Sequence, residues 1–300
     1  MAVNILSIDG GGIRGVATLQ QLVELEKTLR TPLHSFFDYI AGTSTGSIVA
    51  GLLSIGIAPK DILELYQKYG DDIFDKKFFR FGLTRSKYKD KALNNALKDY
   101  TQNKNLKDAL TKLIIPAYNV TNRQIKIFKS YKEDNTYSLF DVIRASSAAP
   151  TFFDPWEIDG NIYVDGGLVA NNPAMIAVIE AIKDANNYVH LISFSTGVTE
   201  KEISERKAKN GILGMASPTV DILLAEQSQM TDYTLDKLFS LGKVLGSYTR
   251  CETYLTRSSG EMDDASACNI YNMILDGEDS AVINKDKMTK FYSESQRKDK

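Results

Sequence analysis

Short apolar runs alternate along the chain with stretches of helical spacing, and glycines stand at most of the junctions. Residues 3–8 form an apolar run that ends at Asp9 and three glycines. Behind it Ile13, Val16, Leu19, Leu22, Val23, Leu25 and Leu29 recur at intervals of mostly three or four, which predicts a helix over 13–29. Residues 36–41 repeat the pattern as a second strand closed by Gly42, followed by a mostly apolar segment, 47–55, that reads as a buried helix. Pro59 with Asp61 behind it marks the first turn of another helix, which ends near Gly70, because proline lacks only an amide hydrogen that a helix start leaves unpaired. Strands are expected at 113–120 and Gln124–Lys129, a helix at 139–149 stopped by Pro150, and a brief strand at Asn161–Val164 before Asp165, Gly166 and Gly167. Asn171-Asn172-Pro173 opens a helix through Asp184, Tyr188–Phe194 is a buried strand, and 217–241 is a long helical stretch. The last fifty residues turn more polar and finish in the charged tail 293–300.

Strands that keep alternating with helices predict an α/β fold, a three-layer α/β/α sandwich around a mainly parallel sheet covered on both faces. Neither a repeat nor a low-complexity linker divides the 300 residues, so one domain over 1–300 is expected, with its core motifs in 5–200 and a helical part from about 215 to 300.

Charge narrows the partners. Thirty-six Lys and Arg against thirty-eight Asp and Glu leave a net charge of −2, so no global field draws the chain to nucleic acid or to an anionic membrane. The N-terminus enters a strand without a basic region or a cleavage site, and no apolar run reaches the roughly 18 residues of a membrane span. A cytoplasmic protein, peripheral at membranes, is expected, with export by a route that needs no cleaved signal left open. Cys251 and Cys268 stand far from any CxxC pair, and the two histidines, His34 and His190, lie away from acidic clusters, so neither a disulfide framework, a zinc site nor another metal cofactor is expected.

Two glycine-bounded turns carry candidate chemistry. Asp9-Gly10-Gly11-Gly12-Ile13-Arg14-Gly15 lies where a strand meets a helix, so several backbone amides can face one anion. Gly10, Gly12 and Gly15 also match the spacing of a dinucleotide loop. Asp9 would oppose a pyrophosphate, however, and the second strand ends in Gly42-Thr43-Ser44 where a ribose-binding acid would stand. A turn that serves packing alone remains the plain alternative. Gly42-Thr43-Ser44-Thr45-Gly46 is a GxSxG sequence between a strand and a helix, the context of a nucleophile elbow; its alternative is a serine that merely caps the helix. A serine triad normally includes histidine, but His34 and His190 both read as structural, which shifts the burden of a base to a carboxylate such as Asp165. Arg14 either faces a substrate phosphate or braces the loop against a carboxylate such as Asp9, and bracing is favoured.

The glycine-rich loop, GTSTG and DGG, in that order and each at a strand end, resemble the patatin-like phospholipase family. The resemblance runs from Asp9 to about Pro173, through Ala148-Ala149-Pro150-Thr151-Phe152-Phe153 and Asn171-Asn172-Pro173, and returns weakly at Met262-Asp263-Asp264-Ala265-Ser266. It implies the patatin-like fold and a lipid acyl hydrolase of phospholipase A type that works through an acyl-serine intermediate without a cofactor. Ser44 and Asp165 would form a Ser-Asp dyad, backbone amides of Gly10, Gly11 and Gly12 would hold the oxyanion, and Asp9, Arg14, Gly15, Gly42, Gly46, Gly166 and Gly167 would support them. Membrane lipids, met in transient peripheral contact, would be the substrate. Two other readings stay open: an esterase or thioesterase for soluble acyl substrates, and a lipid-binding module of the same fold without catalysis. Phe74, Lys76, Lys77, Phe78, Phe79, Arg80 and Phe81, followed by Arg85, Lys87, Tyr88, Lys89 and Lys91, mix aromatic and basic residues; they suit an anionic lipid surface or an ordinary loop.

Overall fold

Along strand β1 (Ala2–Ile8), Val3 and Ile5 enter one buried apolar cluster while Leu6 and Ile8 enter another. Strand β7 (Tyr188–Phe194) does the same, Val189 and Leu191 on one side and Ile192 and Phe194 on the other. Successive side chains of a strand point to opposite faces, so strands apolar on both faces must lie inside a sheet with a layer above and below. The computed structural model, which describes residues 2–73, 90–185, 188–197 and 211–296, places them there.

β1 pairs in parallel with β7 and with β2 (Tyr39–Gly42), β2 with β3 (Lys112–Asn119), and β7 with β8 (Leu245–Cys251). On the far side of β3 the pairing turns antiparallel through β4 (Gln124–Lys129), β5 (Trp156–Ile158) and β6 (Asn161–Val164). The order across the sheet is β5-β6-β3-β2-β1-β7-β8, with β4 also on β3. A short helix α2 (Leu33–Phe36) precedes β2. One face is covered by α1 (Gly15–Leu29), α3 (Thr45–Ser54), α4 (Pro59–Ile73), α5 (Asp90–Thr101), α6 (Leu139–Ser146) and a C-terminal α10 (Ala267–Ser295). α7 (Gly167–Ala170) follows β6; α8 (Ala174–Lys183) and the C-terminal part of α9 (Gly211–Ser240) cover the other face.

Some boundaries differ from the sequence expectation for local reasons. Pro32 opens α2, so the second strand begins at Tyr39 and not at Phe36. Helix α6 ends at Ser146, short of 149, because a residue before proline disfavours helical backbone and Pro150 acts on Ala149. Helix α3 starts at Thr45, two residues early, which leaves Ser44 at the junction. The aromatic and basic stretch at 74–89 lies outside the described residues, as does 297–300 of the tail. Among the described residues no helix is long and apolar enough to cross a membrane.

Candidate active site

Parallel strands β1, β2 and β7 end side by side, and their C-terminal residues lead directly into Asp9, Thr43 and Ser195. The turn after β2 is tight because its glycines leave no room for a side chain. A Cβ on Gly42 would fall 2.0 Å from the Gly46 carbonyl oxygen, and one on Gly46 would fall 2.3 Å from that of Ile8. Between them Ser44 has φ 54° and ψ −122°, an unfavourable backbone for a non-glycine residue. Its neighbours Thr43 and Thr45 are buried, whereas Ser44 is partly exposed.

Strand β6 arrives from the opposite direction and delivers Asp165 to the same place. Gly166 lies against β3 so closely that a Cβ would sit 2.1 Å from the Pro116 carbonyl oxygen. Ser44 Oγ donates to Asp165 Oδ2 at 2.7 Å, and the other carboxylate oxygen accepts the Gly167 N–H at 2.7 Å. Burial pushes the Asp165 carboxyl up to about 6; the Ser44 hydroxyl, the Gly167 amide and the Arg144 charge act against it. The Ser44 N–H donates to Ser146 Oγ at 3.1 Å, and Ser146 Oγ in turn donates to the Pro116 carbonyl at 2.7 Å. No histidine reaches Ser44: His190 is buried in β7, its Nδ1 2.8 Å from Ser247 Oγ, and His34 lies on α2.

The glycine loop passes over this pair. A Cβ on Gly10 would lie 3.1 Å from Ser44 Cβ. The three expected amides are not equivalent, because the Gly10 N–H donates to the Asn171 carbonyl at 3.0 Å and is thereby taken out of the donor set. The amides of Gly11 and Gly12 have no acceptor among the described residues, and both glycines line the cavity that holds Ser44 and Asp165. Gly12 takes φ 61° and approaches Met262, whose carbonyl accepts the Ile13 N–H at 2.9 Å, so the late segment with the weak resemblance closes over the loop. Gly15 packs against Thr45, where a Cβ would be 2.7 Å from Oγ1.

Arg14 does brace the loop, but not through Asp9. Its Nε donates to the Gly11 carbonyl and its Nη2 to Asp221 Oδ1 of α9, both at 3.2 Å. Asp9 is instead held by Arg250 of β8, at 2.6 Å and 3.0 Å to its two oxygens. Asp221, Ser146 and Arg250 were not found from the sequence, since each is a lone polar residue that acquires its role only when distant strands and helices meet. Asn171 was read as a helix cap, yet its carbonyl and side chain hold Gly10 and tie it to Leu224 and Ser228 of α9.

The cavity over Ser44 is walled mainly by apolar side chains, among them Ile48, Leu65, Leu93, Leu97, Phe152, Phe153 and Leu224. Tyr66 also faces it, with its hydroxyl 2.5 Å from Thr45 Oγ1, and burial raises that phenol. Such a site can present a hydroxyl, a carboxylate and two free amides to one end of a long apolar molecule. Among the described residues no group of three or more His, Cys, Asp or Glu is placed to hold a metal ion.

Known proteins are similar to this chain in sequence. Patatin-like protein 2 of Oryza sativa subsp. indica is 29% identical over 92% of this chain and 83% of its own. Probable inactive patatin-3-Kuras 1 of Solanum tuberosum is 30% identical over 92% of this chain and 85% of its own. Human calcium-independent phospholipase A2-gamma is 33% identical over 59% of this chain, which matches 26% of that larger protein. The family model for patatin-like phospholipase matches residues 6–178, from the middle of β1 through the glycine loop, Ser44 and Asp165 into α8, and the chain therefore belongs to the patatin-like phospholipase family.

Proposed function

We propose that the protein hydrolyses fatty acyl esters of phospholipids or related glycerolipids, with Ser44 as nucleophile and Asp165 as its base. The observation that carries this reading is the 2.7 Å hydrogen bond from Ser44 Oγ to Asp165 Oδ2 at an apolar cavity. Ser44 Oγ attacks the ester carbonyl while its proton passes to Asp165, and the oxyanion that forms faces the Gly11 and Gly12 amides. Collapse of the tetrahedral intermediate breaks the ester bond, Asp165 returns the proton to the departing alcohol, and the acyl group stays on Ser44. Asp165 then takes a proton from water, which attacks the acyl-serine. The second tetrahedral intermediate collapses with cleavage of the bond from the acyl carbon to Ser44 Oγ, Asp165 returns the proton to Ser44 Oγ, and the fatty acid is freed. Removing an oxyanion donor typically costs about 10²–10³ in rate, so two fixed amides compensate for a weak base.

The apolar wall suits an acyl chain, and the proposed site needs no metal. Fatty acid release from mixed phospholipid vesicles, followed by mass spectrometry with and without a chelator, tests substrate and metal independence together. The expected outcome is release by the wild type at the same rate in both. Cleavage of a short soluble ester alone would keep the dyad and remove the lipid substrate, and no cleavage of either would favour a binding module.

The base must be ionised to accept a proton, which sets the pH profile. With the Asp165 carboxyl pushed up to about 6, kcat/KM on a soluble ester is expected to rise through about pH 6 and level off above it. A profile already flat at pH 5 would argue against Asp165 as the base.

A further inference from the structure

The segment that follows β7 is pinned by a buried set of hydrogen bonds. The Ser195 N–H donates to the Cys251 carbonyl at 3.1 Å, and the Ser195 carbonyl accepts Thr18 Oγ1 at 2.9 Å and Thr253 Oγ1 at 2.6 Å. Ser195 Oγ accepts the Thr253 N–H at 2.8 Å, Thr253 Oγ1 accepts Gln21 Nε2 at 2.6 Å, and Gln21 Oε1 accepts Asn284 Nδ2 of α10 at 2.9 Å. Helices α1 and α10 and the end of β8 thus fix the backbone at Ser195. The next residue, Thr196, is 4% exposed, and its Oγ1 donates to the Gly10 carbonyl at 2.5 Å. The approach is so close that residue 11 must lack a side chain, since a Cβ on Gly11 would fall 2.1 Å from Thr196 Oγ1.

The Gly10 carbonyl has one other donor, Asn171 Nδ2, at 3.4 Å. That amide has two hydrogens for three acceptors, and the Leu224 carbonyl at 3.2 Å and Ser228 Oγ at 3.0 Å are nearer. Thr196 is therefore the principal donor. The Gly10 carbonyl and the Gly11 N–H belong to one planar peptide group, and among the described residues no peptide bond is cis, so the N–H points away from the carbonyl. Holding the carbonyl against Thr196 turns the Gly11 N–H to the opposite side, and this is one of the two amides without an acceptor at the cavity. A donor on the carbonyl also polarises the N–H of the same peptide.

We propose that Thr196 is a positioning residue for the reaction: its hydroxyl, fixed by the network behind β7, pins the Gly10 carbonyl and so aims the Gly11 N–H at the oxyanion that forms when Ser44 attacks. The inference rests on the Ser44–Asp165 reading above. The next peptide has its own support, because Arg14 Nε holds the Gly11 carbonyl at 3.2 Å and thereby sets the Gly12 N–H. Loss of the Thr196 hydroxyl should weaken one of the two donors and leave the other in place.

The test compares wild type, Thr196→Ser, Thr196→Ala and Thr196→Val in kcat and KM on a soluble ester and in their inhibition by two probes with the same alkyl chain. One is a trifluoromethyl ketone, which Ser44 converts to a tetrahedral oxyanion; the other is the corresponding secondary alcohol, which fills the cavity without one. Removing a whole donor costs about 10²–10³ in rate, and here the donor is misaimed and not removed, so Thr196→Ala should lower kcat by about 10–100-fold. Its KM should stay within about twofold of wild type. Inhibition by the ketone should weaken by the same factor as kcat, and inhibition by the alcohol should not change. Thr196→Ser keeps the donor and should recover most of the rate. Thr196→Val keeps the branched shape without the donor and should match Thr196→Ala; it decides the matter if Thr196→Ala does not fold. Equal weakening of both probes, a Ser variant as slow as Ala, or an unmoved kcat in the folded Ala or Val variant would each overturn the proposal. A wild type that neither cleaves the ester nor prefers the ketone to the alcohol would remove the Ser44–Asp165 reading and this inference with it, whereas an active wild type matched by every variant would remove this inference alone.

Discussion

Ser44→Ala is expected to lower ester hydrolysis by at least about 10⁴-fold, and Asp165→Asn by about 10³–10⁴-fold, with both proteins folded. The reason is geometric. Ser44 Oγ has one strong acceptor, Asp165 Oδ2 at 2.7 Å, and no imidazole stands near enough to replace it. Asparagine keeps the shape of the side chain but cannot take the proton, so the two variants should fail at the same step. Their stabilities should part from that of wild type in a telling direction. Folding raises the Asp165 carboxyl from 3.8 to about 6, a difference equivalent to about 3 kcal/mol against the folded state once the group is ionised. A raised carboxyl weighs on stability above its folded value and ceases to do so as pH falls below the unfolded one. Asp165→Asn should therefore unfold at higher urea than wild type at pH 8, and the advantage should shrink by pH 4. An unchanged hydrolysis rate in Asp165→Asn would assign the base elsewhere, and a loss of stability at pH 8 would mean that the carboxylate holds the turn together.

Much of this site could be read before the fold was known, because its parts are local. GTSTG and DGG are short sequences in which Gly42, Gly46 and Gly166 are demanded because an added Cβ would fall 2.0–2.3 Å from the backbone carbonyl oxygens of Gly46, Ile8 and Pro116. Strands β1 and β7, apolar on both faces, announce themselves by composition. Strand β8 does not: Leu245-Gly246-Ser247-Tyr248-Thr249-Arg250-Cys251 is an edge strand with mixed polarity, and nothing in its pattern distinguishes it from a loop. What stayed hidden was pairing over distance. Arg14 was expected to find a carboxylate and did, but Asp221 lies 207 residues away, and Asp9 found its partner 241 residues away. The difference among Gly10, Gly11 and Gly12 was likewise invisible, since it depends on where the Asn171 carbonyl comes to rest.

The pair formed by Asp9 and Arg250 should be the most expensive of these long-range contacts to break. Arg250 reaches Asp9 with two nitrogens, donates to Ser193 Oγ at 2.7 Å and also meets Glu252 at 3.0 Å. Asp9 is 2% exposed, so Arg250→Met would leave a carboxylate out of water without its counter-charge, a loss of about 3–5 kcal/mol. Urea unfolding at pH 8 should show it. Unpaired and buried, Asp9 would have a carboxyl raised above its unfolded value, so the deficit should be full at pH 8 and fall as acid protonates the group. Adding Asp9→Asn to Arg250→Met should recover much of the stability, because the uncompensated charge is then gone. The double variant separates two roles. If the pair serves stability alone, its activity should return with its fold; because Asp9 immediately precedes Gly10, Gly11 and Gly12, the expected result is a folded protein whose kcat remains depressed while KM changes little. That is the signature of oxyanion amides that have lost their fixed aim.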